Sequence, residues 1–239
     1  NYAAERVMNH LRSKGLIPGD PDPRPFESFY NGYIDLVMSG VEEPLSTHAD
    51  HFEDAGAYGA AAYQKGALFL YQLEYVIGKP AFDQGLLDFF NTWKFKHPDD
   101  NDFIRVMEKS SGLELDWYRD YMVYSLKTVD YSVDTVFAYQ EQSAIILERI
   151  RDMPMPIDVV INTKAGTQLY YTIPLDIMRG AKEERGPDDK PYELLHDWNW
   201  VNPSYLFVVP FTPDQIQSVT IDPYMRMLDL DRENNVWAY

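Results

Sequence analysis

The chain has 239 residues, enough for one large domain or two ordinary ones, and its 45% hydrophobic and 15% aromatic content indicates a packed core. Its formal charge of −17 argues against a nucleic-acid or anionic-membrane partner, because phosphates would be repelled. The lack of cysteine excludes disulfides and thiolate metal sites, and no stretch reaches the ~18 uninterrupted apolar residues typical of a membrane span.

The first part of the chain has a helical pattern. Apolar residues recur every three or four positions in six segments, at 7–11, 26–37, 57–77, 82–93, 103–107 and 117–122. Gly40, Gly78 and Gly112 follow three of these segments, as glycine does at helix C-termini. Residues 1–126 are therefore predicted to form an all-α helical lobe.

After Lys127 the apolar period becomes two. Strands are predicted at 131–137, 144–148, 157–161, 169–173, 205–209 and 218–221, with a hairpin turn at 164–167 and an exposed loop between Arg179 and Pro191. Several short strands of this kind predict an antiparallel β-sandwich over residues 127–239. The fold class expected is thus α+β in two domains.

One short motif carries most of the functional information. Tyr58 precedes the sequence Tyr63-Gln64-Lys65-Gly66, which leads into an apolar helical run. This pattern resembles the zinc aminopeptidases of the M1 (gluzincin) family, in which a tyrosine of a Tyr-x-Lys-Gly motif helps to stabilise the tetrahedral intermediate of peptide hydrolysis. Further stretches resemble the family in the same order: 102–103, 111–115, 153–159, 166–167, 221–223 and 229–235.

The resemblance implies a layout and an activity. The helical lobe would be the rear of a thermolysin-like catalytic domain, and a β-sandwich would follow it. The whole enzyme would use zinc to remove N-terminal residues from peptides. In the family, zinc is held by His-Glu-x-x-His and a downstream glutamate, whereas none of the five histidines here is followed by glutamate.

We therefore expect the chain to be the C-terminal piece of such an enzyme. Its partners would be a peptide substrate and the upstream part of the same polypeptide, which would supply the zinc ligands. The chain by itself is expected to hold no catalytic zinc and to be inactive. Export to the periplasm or outside the cell is the favoured location.

Tyr63 is the candidate catalytic residue that the resemblance implies. Amide hydrolysis places negative charge on the former carbonyl oxygen, and a phenol about 3 Å away stabilises that charge with a directed hydrogen bond. The alternative is that Tyr63 only packs a helix. Tyr58 is expected in the turn that leads into the helix, because five α-helical positions would make it face away from Tyr63. There it would line the substrate cleft or simply pack. Lys65 is expected to be solvated or to pair with an acid outside the chain.

Two other interpretations stay open at this stage. His48 and His51, with Asp50 and Glu53 nearby, could in principle hold zinc, although Thr47 and Asp50 fit a loop or helix start better. The chain could also be a non-catalytic interaction module, in which aromatic side chains line a groove that binds peptides or glycans.

Overall fold

The computed structural model of the protein describes residues 1–183 and 191–238. Helices give way to strands between Tyr124 and Tyr131, where the apolar period changes, so the predicted α+β class is confirmed. Most of the loop predicted between Arg179 and Pro191 lies outside the described residues.

The helices follow the predicted segments closely. They are α1 (Tyr2–Ser13), α2 (Glu27–Ser39), α3 (Ala55–Gly59), α4 (Gly66–Ile77), α5 (Lys79–Trp93), α6 (Asp100–Ser111) and α7 (Asp116–Tyr124). Gly40 and Gly112 end α2 and α6 in left-handed conformation, with φ of 72° and 71°. Asp99 and Asp102 form a capping box at the start of α6, as the acidic run before it suggests.

One helix differs from its prediction. The segment predicted as a single helix over 57–77 contains a π-helical turn, Ala60–Lys65, between α3 and α4. Its closing hydrogen bond runs from the Gly66 N–H to the Ala61 carbonyl, five residues back. Apolar periodicity does not reveal such a turn, because it adds only one residue to an otherwise regular pattern.

The strands form two sheets. The first is three-stranded, with the order β1 (Tyr131–Tyr139), β2 (Gln142–Arg149) and β6 (Ser204–Val209). The second has the order β5 (Glu193–Leu194), β4 (Gln168–Ile173), β3 (Ile157–Thr163), β7 (Ile216–Ile221) and β8 (Val236–Ala238). All pairs are antiparallel except β4 with β5, and the predicted hairpin turn joins β3 to β4.

Aromatic side chains connect the two sheets. The ring of Tyr171 on β4 meets that of Phe207 on β6 edge to face at 5.8 Å. On β2, Ile145 and Leu147 are fully buried, with the partly exposed Ile146 between them. Tyr171 and Phe207 are both buried, so side chains from the two sheets meet in the interior at this point.

The described chain forms two compact units. One comprises residues 1–73 and 120–126, and the other comprises residues 74–119 and 127–239. The division falls inside α4 and inside α7, so α5 and α6 belong to the unit that contains the sheets. Among the helices described, none has the length and apolar character needed to cross a bilayer.

Candidate functional site

The tyrosine motif lies on a continuous helical segment that contains the π turn. Asp54 opens the segment, because its Oδ1 accepts a hydrogen bond from the Ala57 N–H at 2.8 Å. Tyr63 lies within the π turn, and Gly66 begins α4 directly after it. Single π turns inserted into α-helices are rare and occur frequently at functional sites, which makes this turn the candidate site.

The side chain of Tyr63 is open to solvent. Its exposed fraction is 58%, and within the described residues no group forms a hydrogen bond to its hydroxyl. Its backbone carbonyl, by contrast, accepts a hydrogen bond from Asn1 Nδ2 at 3.0 Å. The backbone at Tyr63 is thus held from outside the helix while the phenol remains available to a ligand.

Tyr58 occupies α3, one turn before Tyr63. Its side chain is 36% exposed, and its ring meets that of Phe52 edge to face at 5.4 Å. Because the intervening turn is π-helical, the angle expected between the two tyrosines in an uninterrupted α-helix does not apply. Tyr58 and Tyr63 therefore lie on one helical segment in which the π turn interrupts the α-helical period.

The expectation for Lys65 is wrong. Lys65 is neither solvated nor dependent on an acid elsewhere, because its Nζ lies 2.6 Å from Oε1 of Glu42 in this chain. The two side chains are 3% and 7% exposed, so the ion pair is buried. Glu42 follows the end of α2 by three residues, and nothing in its local sequence marks it as the partner.

A neutral tyrosine adjoins this ion pair. Tyr33 on α2 is buried, and burial together with the nearby Glu42 carboxylate raises the pKa of its hydroxyl above the ordinary value. The Tyr33 phenol therefore keeps its proton at neutral pH. The positive charge of Lys65 compensates the negative charge of the buried Glu42 carboxylate.

An acidic cavity of about 480 Å³ lies beside the ion pair. It is lined by Gly40, Val41, Glu42, Glu43, Glu53 and Asp54. Asp54 is also the cap of α3, and Glu43 accepts a hydrogen bond from the Glu53 N–H at 2.9 Å. Asp54 therefore both lines the cavity and caps the helical segment that carries the two tyrosines.

The histidine pair forms a local turn. His48 caps a short 3₁₀ helix (Ala49–His51), since its Nδ1 accepts a hydrogen bond from the Asp50 N–H at 3.2 Å. In residues 1–183 and 191–238, no three histidine, aspartate or glutamate side chains are grouped so that they could hold a metal ion. The residues present in this part of the chain do not fit a zinc centre.

The region that contains this site is similar to known peptidases. The model of the peptidase family M1 domain matches residues 32–122, a range that includes both tyrosines and the buried ion pair. A leukotriene A-4 hydrolase homolog of Botryotinia fuckeliana (strain B05.10) is 45% identical over 47 residues. Leucine aminopeptidase 2 of Sclerotinia sclerotiorum (strain ATCC 18683 / 1980 / Ss-1) is 43% identical over 47 residues.

The matches cover unequal shares of the proteins. Each of these two alignments covers 20% of the chain, but only 7% and 8% of the respective relatives. A crystal structure of Legionella pneumophila aminopeptidase A in complex with aspartic acid superposes with a TM-score of 0.50 at 14% identity. That superposition covers 82% of this chain and 21% of the other, so the fold extends beyond the region of close sequence similarity.

Proposed function

We propose that the chain, whose residues 32–122 match the model of the peptidase family M1 domain, is the C-terminal part of a zinc-dependent aminopeptidase. The protein would hydrolyse N-terminal residues from peptides. The aligned segment covers less than a tenth of each fungal relative, which leaves ample sequence for the remaining catalytic groups. Zinc, the general base and the groups that hold the substrate amine would come from outside this chain.

In this proposal, Tyr63 donates a hydrogen bond to the oxyanion of the tetrahedral intermediate. The observation that carries the assignment is its position: an exposed phenol on a π-helical turn inside the family match. A donor aimed at charge that develops only in the transition state accelerates the reaction without strengthening substrate binding. Tyr58, one turn earlier, would line the substrate cleft.

The two parts of the chain would have different roles. The helical lobe, residues 1–126, would complete the catalytic domain, and residues 127–239 would form the β-sandwich domain that follows it. The contact between Tyr171 and Phe207 supports two sheets packed face to face. The sandwich would have no part in the chemistry.

A hydroxyl deletion tests the role of Tyr63. In the full-length protein, Tyr63→Phe is expected to lower kcat by about 10²- to 10³-fold while KM stays nearly constant. Tyr139→Phe is the matched control, because Tyr139 is an exposed tyrosine on β1, and it should leave both constants unchanged. An unaltered kcat in Tyr63→Phe would refute the assignment.

A second test asks whether the zinc ligands and the general base lie outside this chain. The isolated chain is expected to retain no stoichiometric zinc and to cleave no aminoacyl reporter substrate. Purified chain that both retains one zinc and cleaves the reporter would contradict the fragment proposal. A full-length protein that binds peptides without cleaving them would instead favour a non-catalytic interaction module.

A further inference from the structure

Three separate segments of the chain contact the π turn. Asn1 donates to the Tyr63 carbonyl, and the amide of Gln64 occupies the space where a Cβ on Gly32 of α2 would lie. The third contact is the ion pair between Lys65 and Glu42. Three consecutive residues of the turn, 63 to 65, are thus each fixed from outside the helix.

The ion pair is the most demanding of these contacts. Removing two charges from water is costly, and their attraction offsets this cost only in good geometry, so a buried ion pair is weak evidence for stability. An apolar pair of similar volume would often serve stability equally well. The pair therefore calls for an explanation other than stability, and geometric definition is the best-supported one.

We propose that Glu42 and Lys65 are positioning residues, which fix the π turn and thereby the hydroxyl of Tyr63. This inference rests on the proposed function of Tyr63. Lys65 follows Tyr63 by two residues in the same turn, so the 2.6 Å contact with Glu42 restrains the rotation of that turn about the helix axis. Neither charge needs to touch the substrate.

The chemistry explains why such a restraint matters. A hydrogen bond to a transient oxyanion depends on the donor lying within a few tenths of an ångström of its ideal place, and a 1 Å displacement can cost about 10²-fold in rate. Substrate binding does not use that bond in the ground state. Loss of the ion pair should therefore lower kcat and leave KM nearly unchanged.

The sharpest variant replaces both charges together. Glu42→Met with Lys65→Met keeps the net charge of the site and the approximate side-chain volumes, and it leaves no buried charge without a partner. In the full-length protein we expect kcat to fall about tenfold or more, with KM within about twofold. The matched control is Lys79→Met with Asp83→Met, which removes an exposed ion pair on α5 and should change neither constant.

A double-mutant cycle separates positioning from general damage. When the methionine pair is combined with Tyr63→Phe, the fall in kcat should not exceed that of Tyr63→Phe alone, because a misplaced hydroxyl and a missing one have the same consequence. Additive losses would overturn the proposal. If the methionine pair prevents folding, Glu42→Gln, which keeps an acceptor for Lys65, is carried through the same cycle.

A spectroscopic readout works without turnover. With 3-fluorotyrosine at position 63 of the full-length protein, the ¹⁹F resonance should shift or broaden in the methionine pair and stay unchanged in the α5 control. If the methionine pair shifts the resonance but Tyr63→Phe is fully active, the ion pair does position Tyr63, and only the catalytic role of Tyr63 is refuted. An unchanged resonance, or an unchanged kcat in the methionine pair when Tyr63→Phe is slow, would overturn the positioning proposal.

Discussion

Tyr75 on α4 and Asp158 on β3 are joined by a buried hydrogen bond, in which the Asp158 N–H donates to the Tyr75 hydroxyl at 3.1 Å. The same hydroxyl donates to the Pro156 carbonyl, also at 3.1 Å. The Tyr75 phenol therefore hydrogen-bonds to the carbonyl of the residue before β3 and to the N–H of a residue within β3. Burial and the nearby acids Asp158 and Asp222 raise its pKa well above the ordinary value, so it remains a donor.

Removal of this hydroxyl should weaken the unit that contains the sheets. Tyr75→Phe leaves a buried N–H and a buried carbonyl without their partner, and we expect the free energy of unfolding to fall by about 1–3 kcal/mol. Urea denaturation provides the measurement. Tyr139→Phe, at an exposed position, should change it by less than about 0.5 kcal/mol. Equal effects of the two substitutions would contradict the bonding role of Tyr75.

The same cluster contains a buried cation. Lys182 Nζ lies 2.7 Å from Asp158 Oδ2 and 3.7 Å from the centre of the Tyr75 ring, and Thr172 also hydrogen-bonds to Asp158. Lys182→Met would leave the Asp158 carboxylate buried beside an apolar side chain, at an expected loss of about 3–5 kcal/mol in unfolding free energy. Lys79→Met breaks an exposed pair and should cost at most about 1 kcal/mol. Similar losses in both variants would be inconsistent with the buried geometry.

Sequence reasoning predicted the helices and all the longer strands, because each depends on local apolar period and on capping residues such as Asp99, Gly40 and Gly112. It also selected Tyr58 and Tyr63 as candidate site residues. It missed the partners that hold the site, because Glu42 and Asn1 lie 23 and 62 residues from their contacts and no local signal links them. It missed the π turn for the physical reason that one added residue hardly alters an apolar pattern.

Asp229 should make stability depend on pH. Burial, with a contribution from the neighbouring Asp130, raises its pKa from 3.8 to about 7, although the N–H groups of Tyr131 and Asp231 donate to it. The folded state therefore binds a proton that the unfolded state releases between these two values, so stability falls as pH rises from about 4 to 7 and then levels off. The total effect is at most about 4 kcal/mol.

The slope of the unfolding free energy against pH tests whether Asp229 is the group responsible. Asp229→Asn cannot titrate, so its unfolding free energy should be flatter than that of the wild type between about pH 4 and 7. It should also be lower at acidic pH, because the two backbone N–H groups donate to different oxygens of Asp229, and in asparagine one of these positions becomes an NH₂ donor. Urea denaturation at pH 4.5 and pH 7.5 measures both effects. Parallel pH profiles for the two proteins would show that another group is responsible.

Two glycines should respond oppositely to alanine. A Cβ at Gly85 on α5 would lie 2.5 Å from Met107 Sδ and 2.7 Å from Ser110 Oγ of α6, so Gly85→Ala should separate these helices and cost about 1–3 kcal/mol. A Cβ at Gly59 meets nothing within 4 Å, and its φ of −59° is helical. Gly59→Ala should therefore stabilise the protein by roughly 0.5–1 kcal/mol. Thermal unfolding of both variants checks the opposite signs.

The π turn also limits which changes of chain length the protein can accept. Deleting one of the three alanines at 60–62 would let the segment close as an ordinary α-helix, because the turn contains one residue more than an α-helix needs. That shortening would narrow the turn and change the direction in which the Tyr63 side chain leaves the helix, while the α-helical segments on either side could keep their register. The wide backbone turn around Tyr63 thus depends on a single surplus residue, whose loss would favour a regular helix at the expense of the present position of the phenol.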